Sequence, residues 1–173
     1  MRLPNLFTTA FLLPLALAST VPQVLSDITA LDKDVQHLTA AVAAYNGGLL
    51  GQTPLLADLT QVHLATRTGY RDAAALPPTT LSNADAESII DLVNRALAVD
   101  NPKAVDVLET KKQYFDQTKT TGVVKGGLET LLDDHLDFSR EVLKRTPAEL
   151  MARAQEVVDV ISDALEGGIK YYS

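Results

Sequence analysis

Between Asp27 and Gly48 the apolar positions are Ile28, Leu31, Val35, Leu38, Val42 and Tyr45, spaced 3, 4, 3, 4 and 3 residues apart. That spacing returns side chains to one face of a 3.6-residue turn, so it predicts an amphipathic helix with a single apolar stripe. Ser26 fits the N-cap, and Asn46-Gly47-Gly48 ends the helix because glycine adopts the left-handed cap conformation without steric cost.

The same period recurs in blocks. Thr53-Pro54 opens a second helix, threonine as cap and proline in the first turn, with Leu55, Leu59, Val62, Thr66, Gly69 and Ala73 on one face. Two prolines in "ALPP" end it, and Ser82 or Asn83 caps a third, short helix that turns Ala86, Ile90, Val93 and Leu97 inward. Asn101-Pro102 marks a new start or a kink, leading to a fourth helix with Val105, Leu108 and Phe115 that fades before Gly122. Val124, Leu128, Leu131, His135, Phe138 and Val142 line a fifth. Thr146-Pro147-Ala148-Glu149 reads as a capping box for a sixth, which carries Met151, Ala154, Val158, Ile161 and Leu165 as far as Gly167-Gly168. No segment alternates with a period of two, and the connections are short, which favours antiparallel neighbours. The predicted fold is all-α, an antiparallel bundle of five or six amphipathic helices.

Composition adds compartment and excludes several partners. Residues 1–18 read as a secretory signal: Arg2 supplies the charge, "LFTTAFLLPLALA" the apolar run and Ala16-Leu17-Ala18 the small-x-small site. The run is too short, and too interrupted by Pro14, for a membrane span of about 20 residues. Residues 19–173 then form one helical-bundle domain with 14 basic and 22 acidic residues, net −8, once the single arginine of the signal is removed. Such a charge excludes nucleic acid as a bulk electrostatic partner and repels anionic membranes weakly. There is no cysteine, so packing alone holds the fold. The sequence "GGIKYYS" at the end carries no apolar tail for a lipid anchor, which favours a freely secreted form.

Catalytic patterns are missing. There is no G-x-S-x-G, and "GVVKGG" lacks the Gly-Lys-Ser/Thr ending of a phosphate loop. Asp34 to His37 has one half of a di-metal helix motif, but Thr60 and Leu132 stand three before His63 and His135 where a carboxylate is needed. No metal and no cofactor are expected; an enzyme would require a cluster among His37, His63 and His135. His135 lies on an apolar stripe among Asp133, Asp134 and Asp137. Two readings stand for it: a core-edge imidazole with a hydrogen-bond partner, or a polar handle that receives a carboxylate head group inside a cavity. Tyr45 divides in the same way.

The helical stripes are rich in alanine, leucine and valine, with only Phe115 and Phe138 as phenylalanines after residue 18. Where alanine faces alanine, a bundle either closes tightly or leaves an apolar channel suited to an acyl chain. Candidate walls of such a channel are Leu38, Val42, Tyr45, Leu59, Leu128, Leu131, His135, Phe138, Val158 and Ile161.

The stretch "VLSDITALDKDVQHLTAAVAAYNGG" from Val24, and the closing "VVDVISDALEGGIKYY" from Val157, resemble the fungal hydrophobic surface-binding protein A family, which includes cell-wall galactomannoprotein antigens. The resemblance implies a secreted or wall-associated helical bundle. It also implies binding of fatty acids or other apolar ligands between helices, adsorption to hydrophobic solids, and recruitment of secreted hydrolases to them. Two mechanisms stay open: an internal cavity, or opening of the bundle to lay amphipathic helices on a surface. A structural or interaction role in the fungal cell wall is the alternative.

Overall fold

The computed structural model describes residues 19–173; the predicted signal at residues 1–18 lies outside the described residues. The chain forms α1 (Val21–Ala44), a 3-10 turn (Leu50–Gln52), α2 (Thr53–Ala74), α3 (Asn83–Arg95), α4 (Leu97–Glu109), a short α5 (Lys112–Thr118) and α6 (Thr121–Leu143). A second 3-10 turn (Ala148–Leu150) and α7 (Met151–Tyr171) follow. No strand occurs among the described residues.

Successive long helices alternate in direction. Tyr45, at the end of α1, abuts Gly51 before α2, and His135 of α6 meets the carbonyl of Val158 in α7. Alternation places α2 beside α6 in parallel, as the pairs Leu59–Gly127, His63–Asp134 and Gly69–Phe138 show. At one end of the bundle lie the α1–α2 loop, α5 and the end of α7. At the other, α3 packs against α1 and the start of α7.

The α1 stripe forms the centre, with Val24 and Ile28 almost fully enclosed. Several boundaries differ from the sequence reading. α1 begins at Val21, five residues before Ser26 would end its cap, because Thr20 accepts from the Gln23 amide and Pro22 occupies the first turn. Gln52, not Thr53, precedes α2. The third helix does begin at Ser82, whose hydroxyl accepts from the Asp85 amide.

α4 starts at Leu97 and runs through Pro102, so the proline stands inside a helix and does not start one. Burial of Leu97 and Val105 against neighbouring helices outweighs the local cost of proline. The helix predicted to reach Phe115 is broken at Glu109, and α5 carries that residue. The left-handed residue before α6 is Lys119 (φ 58°), with Gly122 inside the helix. The predicted capping box does not form: the Thr146 hydroxyl donates back to the Val142 carbonyl, and Glu149 accepts from Asn83.

α7 also continues past Gly167-Gly168 to Tyr171. A β-carbon on Gly168 would stand 2.9 Å from Val105 Cγ1 and 3.1 Å from Leu128 Cδ1. This glycine admits close helix packing and does not stop the helix. Gly69 does the same against the Phe138 ring, 2.7 Å from where a β-carbon would sit.

Polar seams differ around the bundle. Between α2 and α6, His63 Nδ1 bonds Asp134 Oδ2 at 2.5 Å and Arg67 bonds Asp137 at 3.2 Å. Along α1 carboxyl groups face each other: Asp27 against Asp72 of α2, and Asp32 against Asp100 of α4. Gln36 bridges the second pair, donating to Asp32 at 2.9 Å and to Asp100 at 2.7 Å. Buried Arg145 ties the α2–α3 connection down through the carbonyls of Ala74, Leu76 and Pro77.

Candidate apolar ligand site

The apolar stripes do not fill the bundle. A first cavity of about 80 Å³ lies towards α3, among Ile28, Leu31, Ile89, Phe138, Val157 and Ile161. A second of about 90 Å³ lies towards the α1–α2 loop, among Leu38, Val42, Leu55, Leu59, Phe115 and Leu128. Each exceeds the roughly 10–15 Å³ that one water needs by several fold. The two share five wall residues, Val35, Val62, Asn101, Leu131 and Leu165, so they lie end to end along the bundle. Along α1 the lining runs from Ile28 to Val42, about 21 Å of helix at 1.5 Å per residue.

The walls carry few polar groups, and most are already satisfied. Thr39 and Thr66 donate to carbonyls within their own helices, and Asn101 does the same to Leu97. His135 faces the first cavity. Its Nε2 donates to the Val158 carbonyl at 3.2 Å, and Ser139 Oγ stands 3.5 Å from Nδ1. Burial holds its pKa below the usual histidine value, partly offset by the bond to Val158. A neutral ring with its N–H committed to a carbonyl offers an anion no charge, and its free nitrogen is an acceptor.

The second cavity contains a different polar group. Gln52, buried, places Nε2 2.9 Å from the hydroxyl oxygens of Tyr45, Thr118 and Thr120. One amide end therefore meets three hydroxyls, while Oε1 has no hydrogen-bond partner among the described residues. Gln52 and Thr120 both line the cavity. The Tyr45 and Thr118 hydroxyls already donate to the Gly48 and Tyr114 carbonyls, so they accept from the amide N–H end, and Oε1 is left as an acceptor for a guest.

Of the residues singled out from the stripes, Leu38, Val42, Leu59 and Leu128 lie on the second cavity. His135, Phe138, Val158 and Ile161 lie on the first, and Leu131 borders both. Tyr45 lines neither; its ring packs on Phe115 and Tyr114, and its hydroxyl joins the Gln52 group. Sequence reasoning missed Val35, Val62 and Leu165 as shared walls, although the stripe pattern contains them. It missed Gln52 because nothing in a loop sequence marks a glutamine that folds inward. The three histidines do not form a cluster: His37 is exposed on α1, His63 pairs with Asp134, and His135 faces α7. Among the described residues no group of three His, Cys, Asp or Glu is placed to hold a metal, and no helix is long and apolar enough to cross a membrane.

Residues 21–144 match the family described as hydrophobic surface binding protein A. The chain belongs to that family. No curated protein sequence matches it. Among solved structures, that of AFMP4P in complex with palmitic acid aligns with a TM-score of 0.84 at 22% identity, covering 89% of this chain and all of that one. Ligand binding domain 1 of the Penicillium marneffei MP1 protein, complexed with arachidonic acids, aligns at 0.80 with 23% identity, covering 89% and 97% of the two chains. Domain 2 of the same protein, complexed with multiple arachidonic acids, aligns at 0.81 with 22% identity, covering 91% and 98%. At these identities the likeness establishes the fold, an all-α bundle.

Proposed function

We propose that this protein is a secreted, non-enzymatic carrier of long-chain fatty acids, taken up from hydrophobic surfaces and held inside the bundle. The observation that carries this reading is the pair of apolar cavities joined through Val35, Val62, Asn101, Leu131 and Leu165. The family and the fatty-acid complexes of similarly folded proteins support it.

An acyl chain lies along the shared axis, with Leu131 and Leu165 turning aside at the junction. Burying about ten methylenes at ~0.8 kcal/mol each gives a gross gain of ~8 kcal/mol, the scale of micromolar binding. The carboxyl end rests in the second cavity beside Gln52 and Thr120, kept protonated by its apolar surroundings and donating to Gln52 Oε1. His135 is the weaker receiver, since its N–H is already bonded to Val158. The first 18 residues act as the secretory signal, so the circulating form begins near Ser19.

Titration of delipidated protein with palmitate tests the proposal, with circular dichroism beside it. Binding at micromolar concentration or tighter is expected, and Leu131→Trp, which fills the junction, should weaken it at least tenfold while the helical signal is kept. A folded protein with no affinity for palmitate, arachidonate or hydrophobic solids would overturn it.

A further inference from the structure

The α1–α2 loop projects two leucines into solvent. Gly47 (φ 103°) and Gly48 (φ 81°) make the turn, and Leu49 and Leu50 beyond it are 65% and 90% exposed. Two residues later the chain folds inward and Gln52 joins the wall of the second cavity. On that wall Leu56 and Val123 are themselves 48% and 54% exposed. They belong to the starts of α2 and α6, so the cavity's outer lip is apolar and lies at the leucine end of the bundle.

Charge is arranged around the same end. Residues 35–57 contain no Asp, Glu, Lys or Arg. The neighbouring segment 109–129 has four lysines against Glu109, Asp116 and Glu129, net +1, in a chain whose formal charge is −7. Asp116 pairs with Lys112 at 2.8 Å and Glu129 with Lys125 at 3.8 Å. Lys111 and Lys119 make no ion pair with the described residues, and Lys119 is exposed. Lys111 sits over the Tyr114 ring, which packs against Gly47. The lysines therefore flank the leucine loop.

We propose that the Leu49-Leu50 loop, flanked by Lys111 and Lys119, is the docking tip through which the protein meets an anionic lipid surface, with the lip of the second cavity facing that surface. The inference rests on the reading of the cavities as a fatty-acid site. An acidic protein is repelled by an anionic surface on average, so an end with an uncharged loop flanked by lysines is the end that arrives first. Leucines enter the acyl boundary while lysine ammonium groups remain among the head groups. A fatty acid then passes between surface and cavity past Leu56 and Val123 with little exposure to water, its carboxyl end meeting Gln52.

Flotation of the full chain with vesicles of phosphatidylcholine and phosphatidylglycerol, compared with pure phosphatidylcholine, tests the docking. Binding to the anionic vesicles is expected, reduced at least tenfold by Leu49→Ser with Leu50→Ser and several fold by Lys111→Gln with Lys119→Asn. Leu49, Leu50 and Lys119 are exposed and Lys111 is half-buried over the Tyr114 ring, and circular dichroism checks that each variant folds. Transfer of a fluorescent fatty acid from the same vesicles should slow at least tenfold in the leucine variant, while its equilibrium affinity for the ligand in solution stays within twofold. If the wild type floats but binds no fatty acid, the carrier reading fails and the docking tip stands. Equal flotation of wild type and leucine variant overturns the tip. So does a leucine-dependent self-association without vesicle binding, which would make a second copy the occupant, or adsorption to paraffin alone.

Discussion

The carboxyl of Asp27 on α1 is set against that of Asp72 on α2, and burial favours its protonated form. Asp27 Oδ1 accepts from Gln23 at 3.0 Å, whereas Oδ2 is buried with no donor. Burial, with Asp72 beside it, pushes the Asp27 pKa up to about 6. A carboxyl whose folded pKa exceeds its unfolded one stabilises the fold at low pH and loses that contribution as pH rises through the folded value. Burial and Asp100 raise Asp32 in the same direction. Between pH 5 and pH 7, above the range in which Glu141 with its lowered pKa gains stability, the melting temperature should therefore fall. Asp27→Asn should raise it by a few degrees at pH 7 and flatten its pH dependence, as measured by thermal unfolding. A lower melting temperature for the variant at pH 7 would contradict a burial penalty on the Asp27 charge.

Arg145 holds the carbonyls of Ala74, Leu76 and Pro77, and it is itself buried. Arg145→Met keeps the stem and removes the guanidinium, leaving those acceptors without their donor. A loss of about 3 kcal/mol in urea unfolding is expected, the scale for truncating one side of a buried charged network.

Two kinds of helical glycine predict opposite outcomes. Gly69→Ala would press a methyl into the Phe138 ring and Gly168→Ala into Val105, each costing about 1–3 kcal/mol as overpacking. Gly122 and Gly126 have open space around the β-carbon position, so alanine there should stabilise by about 0.5–1 kcal/mol. Chemical denaturation of the four variants separates the groups.

Gln52→Leu should keep the apolar walls and remove the amide. Palmitate affinity is expected to fall about tenfold, corresponding to ~1.4 kcal/mol, while the methyl ester of palmitate loses much less. Competition titration with both ligands checks this, and an equal loss for the two would place the carboxyl end elsewhere.

Much of the bundle was legible in the period of the apolar residues, because one stripe per helix is what a helical core requires. The α1 and α6 stripes reappear almost residue for residue on the cavity walls. Local punctuation was the weaker guide. Pro102 looks like a start or a kink and Gly167-Gly168 like a stop, yet tertiary packing runs helices through them. Spare volume depends on how rows from several helices meet, and no single row contains that information. Gln52 and Asn101 reach the site for the same reason, through contacts distant in sequence.

The uneven polar seams have a mechanical consequence. α2 and α6 are stitched by His63–Asp134 and Arg67–Asp137, whereas α1 sets Asp27 against Asp72 and Asp32 against Asp100, only the second pair being bridged, by Gln36. Ionisation of Asp27 therefore weakens the polar edge of α1, while the apolar stripe of the same helix, Ile28, Leu31, Val35, Leu38 and Val42, stays turned inward and borders both cavities.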